Sequence, residues 1–352
     1  MKILMLTNKY SPTDGWSVVS NSIKKYSRFN ITIMSGENHK NSLYSNSLRG
    51  IHTFKLYSII YLLYGLFDII VNFKEFRKFE LIHVNSEPGL IIAGLCNLLF
   101  GIPYTVTLHG TYAVITSRHK LFRYFYKKAS SVIAVSEYTK SQFISFFKEK
   151  KIKVSVINNG VNCEDFYIES SIEKKHQIIF VGNLKNRKGF NILLEALTSI
   201  IWKEKLILQL VGKFNLNKDV ISRFEKSNIL VNVNSDIDLS TLRKLYNESM
   251  VNVLPSINEM PYFEGFGLIH LESIACGTYT IGTTNNGNED AIKEKKYLVP
   301  QRDSKMLLKV IKSTIKETIS GFKPNFSKET FDWKNKVNQY DLIWKKIYNG
   351  NN

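Results

Sequence analysis

Short apolar runs rich in β-branched residues recur along this chain, and longer segments with helical spacing separate them. In the first half the runs are KILMLT (2–7), NITIMS (30–35), GIHTFKL (50–56), LIHVNS (81–86), YTVTLHG (104–110), SVIAVS (131–136) and VSVINNG (154–160). Stretches such as 90–100 and 120–129 lie between them and space their apolar residues as a helix does. Strands that are apolar almost throughout, rather than alternating, have both faces covered, which is the condition of a parallel sheet under helices. After a polar stretch at 163–176 the pattern restarts. QIIFVGN (177–183), LILQLVG (206–212), ILVNVN (229–234), MVNVLPS (250–256) and TYTIGTT (278–284) read as strands. NILLEALTSIIW (191–202), STLRKLYNES (240–249) and GLIHLESIAC (267–276) read as helices.

The chain therefore reads as α/β, with two Rossmann-like α/β/α domains at 1–165 and 172–330. Its 352 residues are ample for two cores. Beyond Pro324, residues 331–352 form a third segment, an amphipathic helix. Trp333, Val337, Tyr340, Ile343, Trp344 and Ile347 recur in it at three- and four-residue steps, so it must pack on something. Open parallel sheets bind ligands beyond the carboxyl ends of their strands.

Cys96, Cys163 and Cys276 are far apart and odd in number, which suits a reduced, cytoplasmic setting. The N-terminal apolar run is too short for a signal peptide and reads as a first strand. The longest apolar stretch, 56–71, is shorter than the roughly 20 residues of a spanning helix, and Asp68 interrupts it. A buried or interfacial helix is expected there.

Net charge is +18 and unevenly placed. Residues 1–160 carry 21 Lys and Arg against 8 Asp and Glu, whereas residues 161–352 carry 27 against 22. The basic half suits an anionic partner, and a solvated basic surface explains it equally well. Within it, residues 117–128 mix cations with Phe122, Phe125 and Tyr126. That helix either lies on an anionic lipid surface or buries its aromatics and leaves its cations in water. Binding of nucleic acid is not expected.

The chemistry concentrates in VLPSINEMPYFEGFGLIHLESIAC (253–276). A strand ends, a polar loop follows, and Gly265-Phe266-Gly267 leads into a helix at Leu268. Glycines let a phosphate approach the unpaired N–H groups of a helix N-terminus, where the dipole favours anions. Glu264 and Glu272 flank this turn. Carboxylates beside a phosphate site make sense as acceptors for pairs of sugar or ribose hydroxyls. By spacing alone they are also explained as a helix-capping and a surface glutamate. A second cationic turn, Gly182-Asn183-Leu-Lys185-Asn-Arg187-Lys188-Gly189, follows the strand at 177–183 and precedes a helix, as a diphosphate requires. An exposed basic turn is the plainer reading. His109 ends the alternating strand YTVTL and is either structural or a ligand contact. No G-x-G-x-x-G follows the first strand, which argues against a Rossmann dehydrogenase. Asp236 and Asp238 suggest a metal pair only superficially. Asp238 precedes LSTLRKLY and reads more simply as a helix N-cap or a first-turn acid.

The phrase from Glu264 to Gly277 resembles the E-x7-E motif of the retaining glycosyltransferase family 4, and other marks fall in the family's order. The loop 10–16 with Gly15, the strand ending in His109-Gly110, AVSEYT (134–139), INNGVN (157–162) and VGNLKNRKG (181–189) are each similar to a family segment. Asn183 stands where the family often has Arg, and Trp16 where a second Gly is common. Thr278-Tyr279 replaces Thr-Pro, and Asn286-Gly287-Asn288-Glu289 is a reduced form of a Gly-Gly…Glu turn, with Glu289 a weaker site candidate.

The resemblance implies a GT-B fold, two Rossmann-like domains facing across a cleft with the C-terminal helix returning to the N-terminal domain. It implies hexosyl transfer from a UDP- or GDP-sugar to a glycan or lipid-linked glycan acceptor, in cell-surface polysaccharide synthesis, without a metal or other cofactor. His109, Glu264 and Lys188 would serve catalysis. Gly15, Gly182, Asn183, Arg187, Lys188, Glu264, Gly265, Phe266, Gly267, Leu268 and Glu272 would bind the donor. Glu272 would take the ribose and Glu264 the transferred sugar. The setting implied is cytoplasmic, with peripheral contact at the inner membrane face through the basic N-terminal domain. The alternatives are a non-catalytic sugar-nucleotide-binding or scaffold protein of the same fold, and a nucleotide-sugar epimerase.

Overall fold

The computed structural model describes residues 1–10, 15–37, 43–44, 48, 57–147 and 152–351. The strand expected at 50–56 lies outside them. The chain divides into two units, Met1–Asn159 with Trp333–Asn352, and Gly160–Asp332.

The first unit is built on β1 (Lys2–Thr7), β2 (Asn30–Ser35), β3 (Leu43–Tyr44), β4 (Leu81–Val84), β5 (Tyr104–Leu108), β6 (Ser131–Ala134) and β7 (Val154–Val156). They lie side by side in the order β3-β2-β1-β4-β5-β6-β7, every pair parallel. Successive strand residues point to opposite faces. Ile82, Val84, Tyr104, Val106 and Leu108 face a core closed by Leu90, Ile92, Phe122, Phe125, Phe143 and their neighbours. His83, Thr105 and Thr107 face the other way and meet the terminal helix Trp333–Asn351. There Trp344 Nε1 donates to Thr105 Oγ1 at 3.0 Å, and the His83 ring lies edge-on to Tyr340 and Trp344 at 5.6 and 5.1 Å. Asp341 accepts from Ser27 Oγ at 2.6 Å and from the Arg28 N–H at 2.9 Å. Trp333, Val337, Tyr340 and Trp344, four of the six positions in the expected apolar stripe, are fully buried.

The second unit carries β8 (Lys175–Val181), β9 (Leu206–Val211), β10 (Ile229–Asn234), β11 (Ser249–Val253), β12 (Tyr279–Thr283) and β13 (Leu298–Val299), in the parallel order β10-β9-β8-β11-β12-β13. The chain winds outward in opposite senses from β8 and β11. Loops leaving their carboxyl ends diverge and open a crevice between them. The two motif loops, 182–189 after β8 and 254–267 after β11, are those loops.

The segment 163–176, expected as a linker, belongs to this unit instead. The Val161 N–H donates to Phe331 O at 2.8 Å, Arg243 Nε to Glu169 Oε1 at 2.5 Å, and Lys174 Nζ to Thr278 Oγ1 and Ser249 O at 2.6 and 2.8 Å. These long-range partners hold a stretch whose lack of periodicity had suggested independence. The unit boundaries therefore fall at 159/160 and 332/333, not at 165–172 and 330/331. Of the two readings of residues 117–128, the burial of Phe122, Phe125 and Tyr126 is the one found, in the first core.

Candidate active site

The loop after β8 turns at Gly182 (φ 149°), whose N–H donates to Val211 O at 2.8 Å. It runs through a single 3-10 turn, Asn186–Lys188, to Gly189 (φ 72°) and the helix Phe190–Thr198. Glycine is required at 189. The left-handed φ disfavours a side chain, and a Cβ there would lie 1.9 Å from Pro255 O on the second loop. The two loops are also tied by Ile257 N–H donating to Arg187 O at 2.8 Å.

This seam brings the motif residues of the two loops together. Lys188 Nζ donates to Glu264 Oε2 at 2.6 Å, and Arg187 Nη1 donates to the same oxygen at 3.0 Å. Glu264 is buried, which by itself would raise its pKa. The charges of Lys188 and Arg187 outweigh burial and hold it down, to about 2. Burial draws the Lys188 ammonium down, and the Glu264 charge opposes that shift. At neutral pH the cluster is an ionised carboxylate shared by two cations.

Asn183 does not join it. Its side chain is exposed, and its Oδ1 accepts from the Lys213 N–H at 3.0 Å, so it shapes the loop. Arg187, adjacent in sequence to Lys188, supplies the second cation.

Beyond Glu264, Gly265 and Phe266 are buried, and Gly267 (φ 85°) caps the helix Leu268–Ala275. The Gly287 turn presses on this loop from the β12 side. Its N–H donates to Glu264 O at 2.9 Å, and a Cβ on Gly287 would meet Gly265 O at 2.1 Å. The loop is thus clamped between two glycine contacts. Glu272 lies in the second turn of its helix. Its Oε2 accepts from the buried Tyr246 hydroxyl at 3.0 Å. Among the described residues no cation partners it, and burial pushes its pKa up to about 7.

Tyr246 and Gly287 contact the candidate site residues and were not among those expected from sequence. The signal for Gly287 was its place in the reduced Gly-Gly turn. Tyr246 carried none beyond a helical position. His270 was likewise unforeseen. Buried under Gly267, its Nδ1 lies 2.6 Å from Thr280 Oγ1, and burial lowers its pKa to about 4. Asp238 is the N-cap expected, its Oδ1 accepting from the Thr241 N–H at 2.7 Å. Among the described residues no three His, Cys, Asp or Glu side chains are grouped as a metal site.

In the first unit His109 follows β5. Asn85 Nδ2 donates to Trp16 O and Ser20 Oγ at 3.1 and 2.7 Å, which turns Asn85 Oδ1 toward His109 Nε2 at 3.0 Å. An amide oxygen only accepts, so Nε2 carries the proton and Nδ1 is the ring's acceptor. Burial lowers the pKa to about 4, so the ring is neutral. Trp16 lies edge-on to it at 6.5 Å and against Tyr112 at 5.4 Å. Gly15 is the exposed first residue of the helix Gly15–Tyr26.

A family model described as Glycosyl transferases group 1 matches residues 164–330, and one described as Glycosyltransferase Family 4 matches residues 32–165. An uncharacterized glycosyltransferase of Methanocaldococcus jannaschii is 28% identical over 364 aligned positions, covering 99% of each chain. Among solved structures, a sucrose-phosphate synthase from Thermosynechococcus elongatus matches 99% of both chains with a TM-score of 0.74 at 18% identity. The Anabaena protein HepE, in complex with UDP and glucose, matches 99% of both chains at 0.70 and 17%. At such identities the structures speak for the fold, which is GT-B. With two adjoining family models accounting for residues 32–330 and a relative matched over 99% of both chains, the chain is a glycosyltransferase of the group 1 and family 4 type.

Proposed function

We propose that this glycosyltransferase takes a hexosyl group from a UDP- or GDP-sugar held by the second unit and passes it, with retention at the anomeric carbon, to a glycan or lipid-linked glycan acceptor. The observation that carries the donor reading is the pair of cations, Lys188 and Arg187, gathered at one carboxylate oxygen on the seam between the two switch-point loops. A diphosphate at that seam would meet both cations and the backbone N–H groups of Gly265–Leu268 at a helix N-terminus. UDP and glucose bound in the fold relative from Anabaena support the same class of ligand.

In this reading Lys188, Arg187 and the helix N-terminus stabilise the charge that grows on the leaving diphosphate, often the largest catalytic contribution. Glu264 Oε2 orients the cations, which leaves Oε1 for a hydroxyl of the transferred sugar. Glu272 takes the ribose hydroxyls. The neutral His109 accepts a hydrogen bond from a hydroxyl at Nδ1 rather than acting as an acid. The bond from the anomeric carbon to the diphosphate oxygen breaks, the acceptor oxygen bonds on the same face, and its proton passes to the departing phosphate. The setting that suits a lipid-linked acceptor is the cytoplasmic face of a membrane, in the synthesis of a cell-surface polysaccharide.

A thermal-shift screen of UDP, GDP and their sugars, followed by nucleotide release on adding acceptor, tests the reading. No shift with any nucleotide and no release points to a scaffold, and sugar conversion without release points to an epimerase. The reaction is proposed to need no metal, so activity should survive EDTA. Loss on chelation with rescue by Mn2+ would overturn that and return attention to Asp236.

A further inference from the structure

Beside His109 lies a buried carboxyl that the mechanism above does not use. Glu87 stands in the loop after β4, and its side chain is fully buried. The loop around it is held firmly. The Asn85 N–H donates to Leu6 O at 2.8 Å, and Ser86 Oγ accepts from the Asn8 N–H at 2.8 Å. The Glu87 carbonyl accepts from the Leu90 N–H at 3.0 Å, in the first turn of the helix Gly89–Phe100. Neither oxygen of the Glu87 carboxyl completes a hydrogen bond. The main-chain N–H groups of Glu87 and His109 face it and favour its ionised form. The other titratable group facing it is the buried Tyr126 phenol, on the helix Lys120–Lys128. Thr116 Oγ1 donates to Tyr112 O at 2.8 Å, so the phenol, 2.8 Å from Thr116 Oγ1, spends its proton there. Among the described residues no cation pairs with Glu87.

A buried polar group without partners lowers stability, and an apolar side chain of similar length would avoid that loss. The surroundings of this carboxyl show what the loss serves. The loop 85–88 reaches His109 from two sides. Asn85 Oδ1 accepts from the ring Nε2–H at 3.0 Å, and Glu87 faces the main-chain N–H. Immediately after His109 the chain turns at Gly110 with φ 129°, a conformation that disfavours any side chain. An ionised carboxyl is a strong acceptor for a main-chain N–H, and a protonated one is a weak acceptor. Burial raises the Glu87 pKa to about 7, so both forms are populated near neutrality.

We propose, resting on the role given to His109 above, that Glu87 is a positioning residue for glycosyl transfer: its carboxylate accepts from the His109 main-chain N–H and, with Asn85 on the ring, fixes Nδ1 against the hydroxyl that bonds to it. Protonation of Glu87 weakens the grip on the main chain and leaves the ring held by Asn85 alone.

The first test needs no turnover. In protein labelled with 15N at histidine, the His109 signals are those lost in His109→Gln. They should shift with a midpoint at about pH 7, although the ring itself stays neutral there. Glu87→Gln should abolish that shift. The second test is kinetic. At saturating donor the wild-type kcat should rise through the same midpoint. Glu87→Gln should give a flat profile at no less than about a third of the wild-type maximum, because an amide oxygen accepts from the same N–H at every pH. Glu87→Met removes the acceptor and should lower kcat about tenfold. Its melting temperature should be equal to or above that of the wild type, and its nucleotide affinity unchanged. A His109 shift that is absent, or that persists in Glu87→Gln, overturns the proposal. An unchanged kcat in Glu87→Met overturns it too, as does a loss of kcat accompanied by a lower melting temperature, which is what a structural carboxyl would give. If His109→Gln transfers sugar at the wild-type rate, the role of His109 falls and that of Glu87 with it. If His109 is required but its signals ignore Glu87, only the role of Glu87 falls.

Discussion

Glu264 and Glu272 belong to one motif, eight positions apart, and the fold gives them opposite electrostatic lives. Glu264 lies on the seam of two loops, where Lys188 and Arg187 converge on one of its oxygens and hold its pKa near 2. Glu272 lies half-buried in the helix beyond, with a phenol as its partner and a pKa pushed to about 7. Burial acts on both in the same direction. The difference is charge supplied by the neighbouring loop. One carboxylate is permanently ionised and organises cations, while the other sits at the edge of ionisation and is suited to accept hydroxyls when deprotonated.

The largest break in this comparison comes at the cationic end. Lys188→Ala removes the nearer charge from the proposed leaving group, and turnover should fall on the order of 10²–10³-fold. The readout is kcat for nucleotide release with acceptor present. Loss confined to KM would mean that Lys188 holds ground state and transition state alike. Arg187→Ala should follow at roughly tenfold, because Arg187 takes the place of the cation that Asn183 does not supply. An unchanged rate would show that Lys188 alone carries the phosphate.

At the other end, Glu272→Gln keeps the shape and removes the charge. Nucleotide affinity should drop by about 1.5–3 kcal/mol at pH 8. In the wild type the affinity should rise as pH passes upward through about 7, because only the ionised carboxylate accepts from both ribose hydroxyls. The variant should show a flat profile by calorimetric titration. Stability runs the opposite way. A folded pKa near 7 against an ordinary value of 4.5 means the native state holds an extra proton between those limits, so this group's contribution is lost as pH rises through the window. Glu264 has the reverse sign. Its contribution is present above the ordinary value and is lost only as pH falls toward 2.

Much of this is legible in the amino-acid sequence. The strand runs at 2–7 and 206–211 emerged as β1 and β9, because buried parallel strands leave a continuous apolar signature, and the mixed runs at 104–108 and 229–234 emerged as β5 and the edge strand β10. The Gly267 helix start was readable from glycine chemistry. Other features depend on distant partners and leave no local trace. The loop 163–176 looked like a linker because its order comes from Arg243, Ser249 and Thr278. The ion pair between Lys188 and Glu264 joins residues 76 positions apart. The strands β3 and β13 are two residues each, too short for any period to show. The burial of Phe122, Phe125 and Tyr126 is one of two readings of the same amphipathic pattern, and packing decides it, Phe125 against Gly94 and Tyr126 against Phe143 and Phe147.

The smallest expected effect sharpens the comparison most. The Tyr246 hydroxyl donates a hydrogen bond that lowers the Glu272 pKa against the pull of burial. Tyr246→Phe removes that donor and fills nearly the same volume. The midpoint of the nucleotide-affinity profile should therefore move upward from about 7, and affinity at pH 7 should fall by roughly 0.5–1.5 kcal/mol. At pH 9, with the carboxylate ionised in both proteins, the two affinities should converge. A loss that is the same at every pH would place Tyr246 against the nucleotide itself rather than behind Glu272. A midpoint that does not move would mean that the Glu272 carboxylate is not the group whose ionisation sets donor binding.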